Sequence, residues 1–167
     1  HYTDSNYDFT TKGWDVSAVS FHKTMNVLYN KKAMNDWGSI VALTYMAAQR
    51  VFPDYNDMAD NKAYLESIAR SFGYFFGRDQ KVRVNTISQS PTPTTAGSGV
   101  KGFDGFLAYA DQMSPLGNAT ALECADYTIS LFSDLTKKVT LQNLFHDGGF
   151  SNMGVSDAVM SKFVDGK

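Results

Sequence analysis

One cysteine, four prolines and almost no imbalance of charge mark this 167-residue chain, and each scarcity excludes something. A lone Cys124 cannot close an intramolecular disulfide, which removes the small disulfide-framed secreted folds and favours a reducing, cytoplasmic setting. Fifteen Lys and Arg against seventeen Asp and Glu leave a formal charge of −2. That lacks the basic excess with which nucleic-acid binders neutralise phosphate. No apolar run reaches the roughly 18 residues that span a bilayer, and His1-Tyr2-Thr3-Asp4 has neither the basic nor the apolar region of a signal peptide. Neither a membrane nor a nucleic acid is therefore expected as a partner. His22 and His146 have no His, Cys or carboxylate at ligand spacing, so no metal is expected. A nucleophile elbow for Ser/His/Asp chemistry is also missing. The chain does not begin with Met, which suggests a piece of a longer gene product.

What the chain does have is a 43% hydrophobic and 14% aromatic composition, enough for a packed core and too much for acid-rich disorder. Three short, nearly continuous apolar runs read as strands buried on both faces: Ser39 to Tyr45, Val82 to Ser88, and Val139 to Phe145, the last closed by Asp147-Gly148-Gly149. Segments with helical spacing lie between them. Val16 to Met34 places Val16, Val19, Val27 and Met34 on one face, and Ala121 to Phe132 repeats Leu122, Ala125, Ile129 and Phe132, with Cys124 a small packed hydrophobe beside them. Asp54 is expected to cap a helix whose inward residues are Met58, Leu65, Ile68, Phe72 and Phe75 and whose stop is Gly77. Strands joined by crossovers of this length demand a parallel sheet with helices on its faces, and ligands of such sheets sit beyond the carboxyl ends of the strands. The positions to inspect are therefore those after Leu43, Ile87 and His146.

Tyr55 and Lys62 fall at that end. Seven helical steps of about 100° return to within about 20°, so the two share a face with an axial offset of about 10.5 Å, and both reach a ligand lying beside the helix. A cation near a phenol stabilises phenolate, lowers the Tyr pKa and eases proton donation. A plain half-buried tyrosine and a solvated lysine fit the same spacing. A second pair at this interval, Tyr74 and Lys81, is divided by Gly77.

Tyr45 to Met58, Lys62 to Glu66, Val82 to Ser88 and Asp147 to Phe150 together resemble the NADH-dependent enoyl-[acyl-carrier-protein] reductases of bacterial fatty-acid synthesis, within the short-chain dehydrogenase/reductase superfamily. The Tyr-x6-Lys spacing and the Asp-Gly-Gly belong to the whole superfamily. Tyr45, ten positions before Tyr55, is the sharper sign, and Ala42 stands where most of the superfamily carries a catalytic Ser. The resemblance implies a Rossmann-like, doubly wound parallel sheet with helices on both faces. Tyr55 would stabilise the enolate formed when hydride from NADH reaches C3 of a trans-2-enoyl thioester, Lys62 would bind the nicotinamide ribose, and Tyr45 would be the second active-site tyrosine. Pro91, Thr92, Pro93, Thr94, Thr95 and Ala96 match the segment that touches the cofactor. Met58, Ala96, Val100, Phe103 and Phe106 match the acyl pocket, within a substrate-binding segment spanning 88–113. Plain core packing fits Phe103, Phe106, Leu107 and Ala110 as well. An acyl-carrier protein as substrate partner and a homotetramer are implied too; the near-neutral charge shows no docking patch for that acidic carrier, and Lys101 beside the acyl segment is the candidate docking residue.

Two departures qualify the resemblance. Ser90 replaces the usual glycine before Pro91, which puts the cofactor contact there in question. No strand, glycine-rich turn and helix occurs before Ser39, so residues 1–167 are expected to be the C-terminal part of one reductase domain whose N-terminal dinucleotide-binding half is missing from this chain. Alone, the chain is then expected to be inactive, because holding hydride donor and acceptor together accounts for roughly 7 to 11 kcal/mol of the barrier. A ketoacyl or other carbonyl reductase of the superfamily, and a non-catalytic α/β interaction module, are the alternatives.

Overall fold

The computed structural model describes residues 2–94 and 102–164. Strands β1 (Ser39–Thr44), β2 (Arg83–Gln89) and β3 (Asn143–His146) form one parallel sheet in that order, with Ser39 opposite Arg83 and Thr86 opposite Asn143. Around it run α1 (Tyr7–Trp14), α2 (Ser20–Asn30), α3 (Asn56–Gln80), α4 (Phe103–Met113), α5 (Ala121–Phe132) and α6 (Asp157–Val164). Parallel neighbours need crossovers, and α3 supplies the first and α4 with α5 the second. Both faces are used. Val84 lies under Gly73 of α3, while the adjacent Arg83, pointing the opposite way along the pleat, donates to the Leu131 carbonyl of α5 at 3.0 Å.

α3 organises the core. Its second half packs Ala69 and Phe76 with Met25, Val82 and Val84, and its first turn brings Tyr55 and Ala59 against Tyr45, Met46, Ala47, Ala110, Met113 and Phe150. The helix also differs from its sequence reading in three ways. Asp54 does not cap it: that residue takes a left-handed φ of 66° in the turn, and Tyr55 occupies the cap position without a side-chain bond. Gly77 does not stop it: the intrahelical bonds continue to Gln80, and Lys81 ends the helix with a left-handed φ of 54°. Phe75 is not inward: it is exposed, and Phe76 is the buried aromatic.

Two other amphipathic faces are also corrected. A π-turn at Asp15–Val19 precedes α2 and rotates its face, because that turn holds an extra residue. Ala18 and Met25 are consequently buried, while Val16 and Val27 face solvent. Helix α5 has the expected bounds and starts at a capping box in which Thr120 and Glu123 bond one another reciprocally. Its apolar stripe, however, points outward: Leu122, Ile129 and Phe132 are 72%, 64% and 55% exposed, and only Leu131 is buried.

The third strand is shorter than its apolar run. Leu141 has a φ of 63°, which breaks the extended chain before Asn143. The Asn85 side chain fills the broken ladder, donating to the Val139 carbonyl at 2.9 Å and accepting from the Gln142 N–H at 3.1 Å. Beyond β3, buried Asp147 accepts from the Gly149 and Ser151 N–H groups at 3.0 and 2.9 Å. Gly148 and Gly149 both have positive φ, and a Cβ on Gly148 would lie 2.0 Å from the Gly117 carbonyl oxygen. The Asp-Gly-Gly signature is thus a turn that only glycine fits.

Candidate active site

The carboxyl end of β1 hands the chain to a short 3-10 turn at Met46–Ala48, and the extended Tyr45 between them turns its ring into the core. Phe52, Tyr55 and Phe106 surround that ring edge-on or tilted, with centroids 5.5, 5.6 and 6.1 Å away. Such arrangements suit the aromatic quadrupole. The Tyr45 residue is 8% exposed, and its hydroxyl has no hydrogen-bond partner. Seven residues into the helix direction from Tyr55, Lys62 donates from Nζ to the Leu43 carbonyl at 3.0 Å, so the lysine is tied to the last turn of chain before Tyr45.

Tyr45, Tyr55 and Lys62 line one cavity of about 480 Å³ at the carboxyl end of the sheet. Met58 completes the α3 side, Phe103 and Phe106 of α4 the apolar side, and Pro91, Thr92 and Thr94 the side that follows β2. Pro93 is exposed and lies off the cavity wall. Thr95, Ala96, Val100 and Lys101 lie outside the described residues. Phe106 serves the cavity and packs on Tyr45, whereas Ala110 and Met113 on the same helix are core.

The electrostatics differ from the spacing argument. Burial, rather than any cation, dominates at Tyr55 and pushes its phenol above the ordinary tyrosine value. Burial, reinforced by Tyr55 and Asp147, also raises Tyr45, and it lowers the Lys62 ammonium from its ordinary value. Desolvation disfavours whichever form is charged, and Lys62, about 10 Å from Tyr55 along the helix axis and directed at the Leu43 carbonyl, does not offset it. Tyr55 is therefore a protonated hydrogen-bond donor at neutral pH, not a phenol poised to ionise.

Sequence reasoning passed over Gln89 and met Ser90 only as a departure from glycine, although both build the back of this site. Ser90 is buried, and its Oγ accepts from the Ala119 N–H at 2.9 Å, so the hydroxyl in place of glycine fastens β2 to the segment before α5. Gln89 lines the cavity, and its Oε1 lies 2.8 Å from Nδ1 of His146, whose ring stacks on Tyr127. His22 packs edge-on against Phe72. Among the described residues no three His, Cys, Asp or Glu side chains gather as a metal site. The signal for Gln89 and Ser90 was their place at the carboxyl end of β2, where parallel sheets present ligands.

Residues 1–151 match the family model described as "Enoyl-(Acyl carrier protein) reductase". Among curated relatives, "Enoyl-[acyl-carrier-protein] reductase [NADH] 1" of Rhizobium meliloti is 34% identical over 155 residues, covering 92% of this chain and 56% of that protein. The Bacillus cereus enzyme "Enoyl-[acyl-carrier-protein] reductase [NADH] FabI" is 33% identical, covering 92% and 59%. The crystal structure of the FabI-NADH complex from Alistipes finegoldii superposes with a TM-score of 0.95 at 61% identity, over 99% of this chain and 59% of that one. The enoyl-[acyl-carrier-protein] reductase (NADH) of Aquifex aeolicus gives 0.84 at 30% identity, over 92% and 59%. The chain spans less than three-fifths of the length of each.

Proposed function

Since the chain belongs to the enoyl-(acyl carrier protein) reductase family, we propose that it carries the substrate-reducing part of an NADH-dependent enoyl-[acyl-carrier-protein] reductase of bacterial fatty-acid synthesis. The observation that supports this most is the meeting of Tyr45, Tyr55 and Lys62 on one cavity whose other wall is aromatic and apolar. A volume of about 480 Å³ lies within the 300 to 1,000 Å³ typical of small-molecule sites. The donor set suits a nicotinamide riboside: Lys62 keeps two of its three N–H donors beyond the one given to Leu43, and it faces the same cavity as Tyr55. NADH would supply hydride to C3 of the trans-2-enoyl thioester.

Negative charge then develops on the thioester oxygen as the enolate forms, and the residues here act on that oxygen. Tyr55, kept protonated by burial, donates to it, and Tyr45 offers a second phenol whose hydroxyl is otherwise unpartnered. C2 afterwards takes a proton from solvent, completing the saturated thioester. Lys62 holds the ribose hydroxyls, fixed in direction by its bond to Leu43. Met58, Phe103 and Phe106 exclude water from the acyl chain. An acyl-carrier protein delivers the substrate with Lys101 as its candidate docking residue, while by family likeness Thr95 and Ala96 belong to the cofactor segment and Ala96 and Val100 to the acyl pocket. The outward apolar stripe of α5 supports an oligomer, a homotetramer by that likeness, and the single cysteine supports a cytoplasmic setting.

A polypeptide of these 167 residues alone is inactive on this reading, because no strand, glycine-rich turn and helix occurs before Ser39 to hold the pyrophosphate. The test uses the longest natural polypeptide that includes them. NADH oxidation with an enoyl thioester, and little with the 3-ketoacyl analogue, is the expected result; preference for the ketoacyl compound would replace the reading with carbonyl reduction. Tyr55→Phe lowers kcat by roughly 10²-fold or more with NADH affinity little changed, as loss of one oxyanion donor does. Lys62→Ala weakens NADH binding. Full turnover in both variants, or a parent chain that binds no NADH, would favour the non-catalytic module instead.

A further inference from the structure

The α3 face that carries Lys62 presents, one turn further on, a carboxylate that the proposed chemistry does not use. Glu66 is 3% exposed. Its Oε1 accepts from Thr44 Oγ1 at 2.9 Å and Asn143 Nδ2 at 3.1 Å, its Oε2 accepts from Gln49 Nε2 at 3.2 Å, and Arg70 Nη1 stands 3.8 Å away. Asn143 in turn accepts from Thr86 Oγ1 at 3.0 Å. One side chain therefore ties the helix to all three strands. A buried carboxylate costs several kcal/mol unless its oxygens are satisfied, and apolar packing fills the same volume more cheaply. Core stability alone gives little reason for a charge there.

The placement of the donors supplies a reason. Thr44 immediately precedes Tyr45, and Gln49 closes the 3-10 turn that follows it. Both sides of the Tyr45 segment are thus anchored to the two oxygens of a single carboxylate. Tyr45 needs such anchoring, because its hydroxyl makes no hydrogen bond among the described residues and its ring is held by non-directional packing against Phe52, Tyr55, Phe106 and the apolar cluster around them. Lys62 adds a parallel tie one residue earlier, through the Leu43 carbonyl. We infer that Glu66 is a positioning residue of the active site, clamping Thr44 and Gln49 so that the Tyr45 phenol is held toward the reacting carbonyl.

This inference rests on the reductase reading, and its test separates the two. Thr44→Val keeps shape and removes one anchor; Glu66→Gln keeps shape and turns one oxygen into a donor facing a donor. In the longest natural polypeptide, both are expected to lower kcat for the enoyl thioester roughly tenfold to a hundredfold, the scale set by small misplacements. NADH affinity stays within about twofold, and Arg70→Met changes neither quantity. In ring-¹³C-tyrosine NMR, the Tyr45 signal, assigned by Tyr45→Phe, shifts or broadens in both variants while those of exposed Tyr64 and Tyr74 hold still. An unmoved Tyr45 signal with a lowered melting temperature would make Glu66 a structural residue only and overturn the inference. If the parent polypeptide reduces no enoyl thioester, the reductase reading fails, and the Tyr45 signal alone decides the role of Glu66. Should Glu66→Gln fail to fold, Thr44→Val carries the decision.

Discussion

At the scale of single residues, burial rather than pairing sets the chemistry of the cavity, and this has a pH signature. Tyr45 and Tyr55 keep their protons above the ordinary tyrosine value of 10.0. Their contribution to stability is fully present below that pH. Once the unfolded chain loses those protons and the folded one does not, the unfolded state binds fewer, so stability falls as pH rises. Lys62, lowered from 10.5, acts oppositely, gaining stability as pH climbs toward that value. Urea unfolding between about pH 9.5 and 11.5 is expected to show a flatter decline for the Tyr45→Phe/Tyr55→Phe double variant than for the parent. Equal slopes would mean that the phenols titrate normally. The expectation that Lys62 depresses the Tyr55 pKa came from spacing, which reports that two side chains share a helical face. Spacing does not report solvent, and solvent decides the sign.

At the scale of elements, strands and helices were legible wherever local pattern and burial agree. The three runs that read as strands contain the strands, β1 ending one residue early, β2 shifted by one and β3 starting four residues late and ending one later, because period and composition set the core of an element while local backbone torsions set its boundary. Leu141 at β3 and Lys81 at the end of α3 are such torsions, and neither residue type announces a left-handed conformation. Gly77 misled for the opposite reason: glycine permits a stop without requiring one, and α3 is held through it by packing on either side. Where glycine is required, the effect is large. Gly148→Ala is expected to cost at least about 2 kcal/mol, from left-handed strain plus the 2.0 Å approach to the Gly117 oxygen. Gly102→Ala, with positive φ and nothing within 4 Å, is expected to cost only about 1 kcal/mol. Chemical denaturation of the two variants side by side checks both values.

At the scale of the whole molecule, the meeting of Tyr45, Tyr55 and Lys62 was legible and what supports them was not. Together with Met58, Phe103 and Phe106 they line one cavity, and their chemical roles belong to the proposed reading. Glu66, Gln89 and the bond that Ser90 accepts from Ala119 became visible only once segments far apart in sequence lay side by side. The outward stripe of α5 is legible only at this scale too, since its periodicity is that of a buried face. The 167-residue chain by itself is expected to self-associate, and Leu122→Lys with Ile129→Lys is expected to shift it to monomer in light scattering without lowering its melting temperature. Association that survives both charges would locate the sticky surface elsewhere. Helix α3 bears on all of this: its 25 residues run about 37 Å, with Tyr55 and Ala59 in one hydrophobic cluster and Ala69 and Phe76 in the other. The two clusters share one rod, so neither melts without loosening the other. Amide exchange around Tyr45 is then expected to proceed at the pace of global opening, and a cavity cut under the far end, as in Phe76→Ala, is expected to soften the wall that holds Tyr45 without touching it.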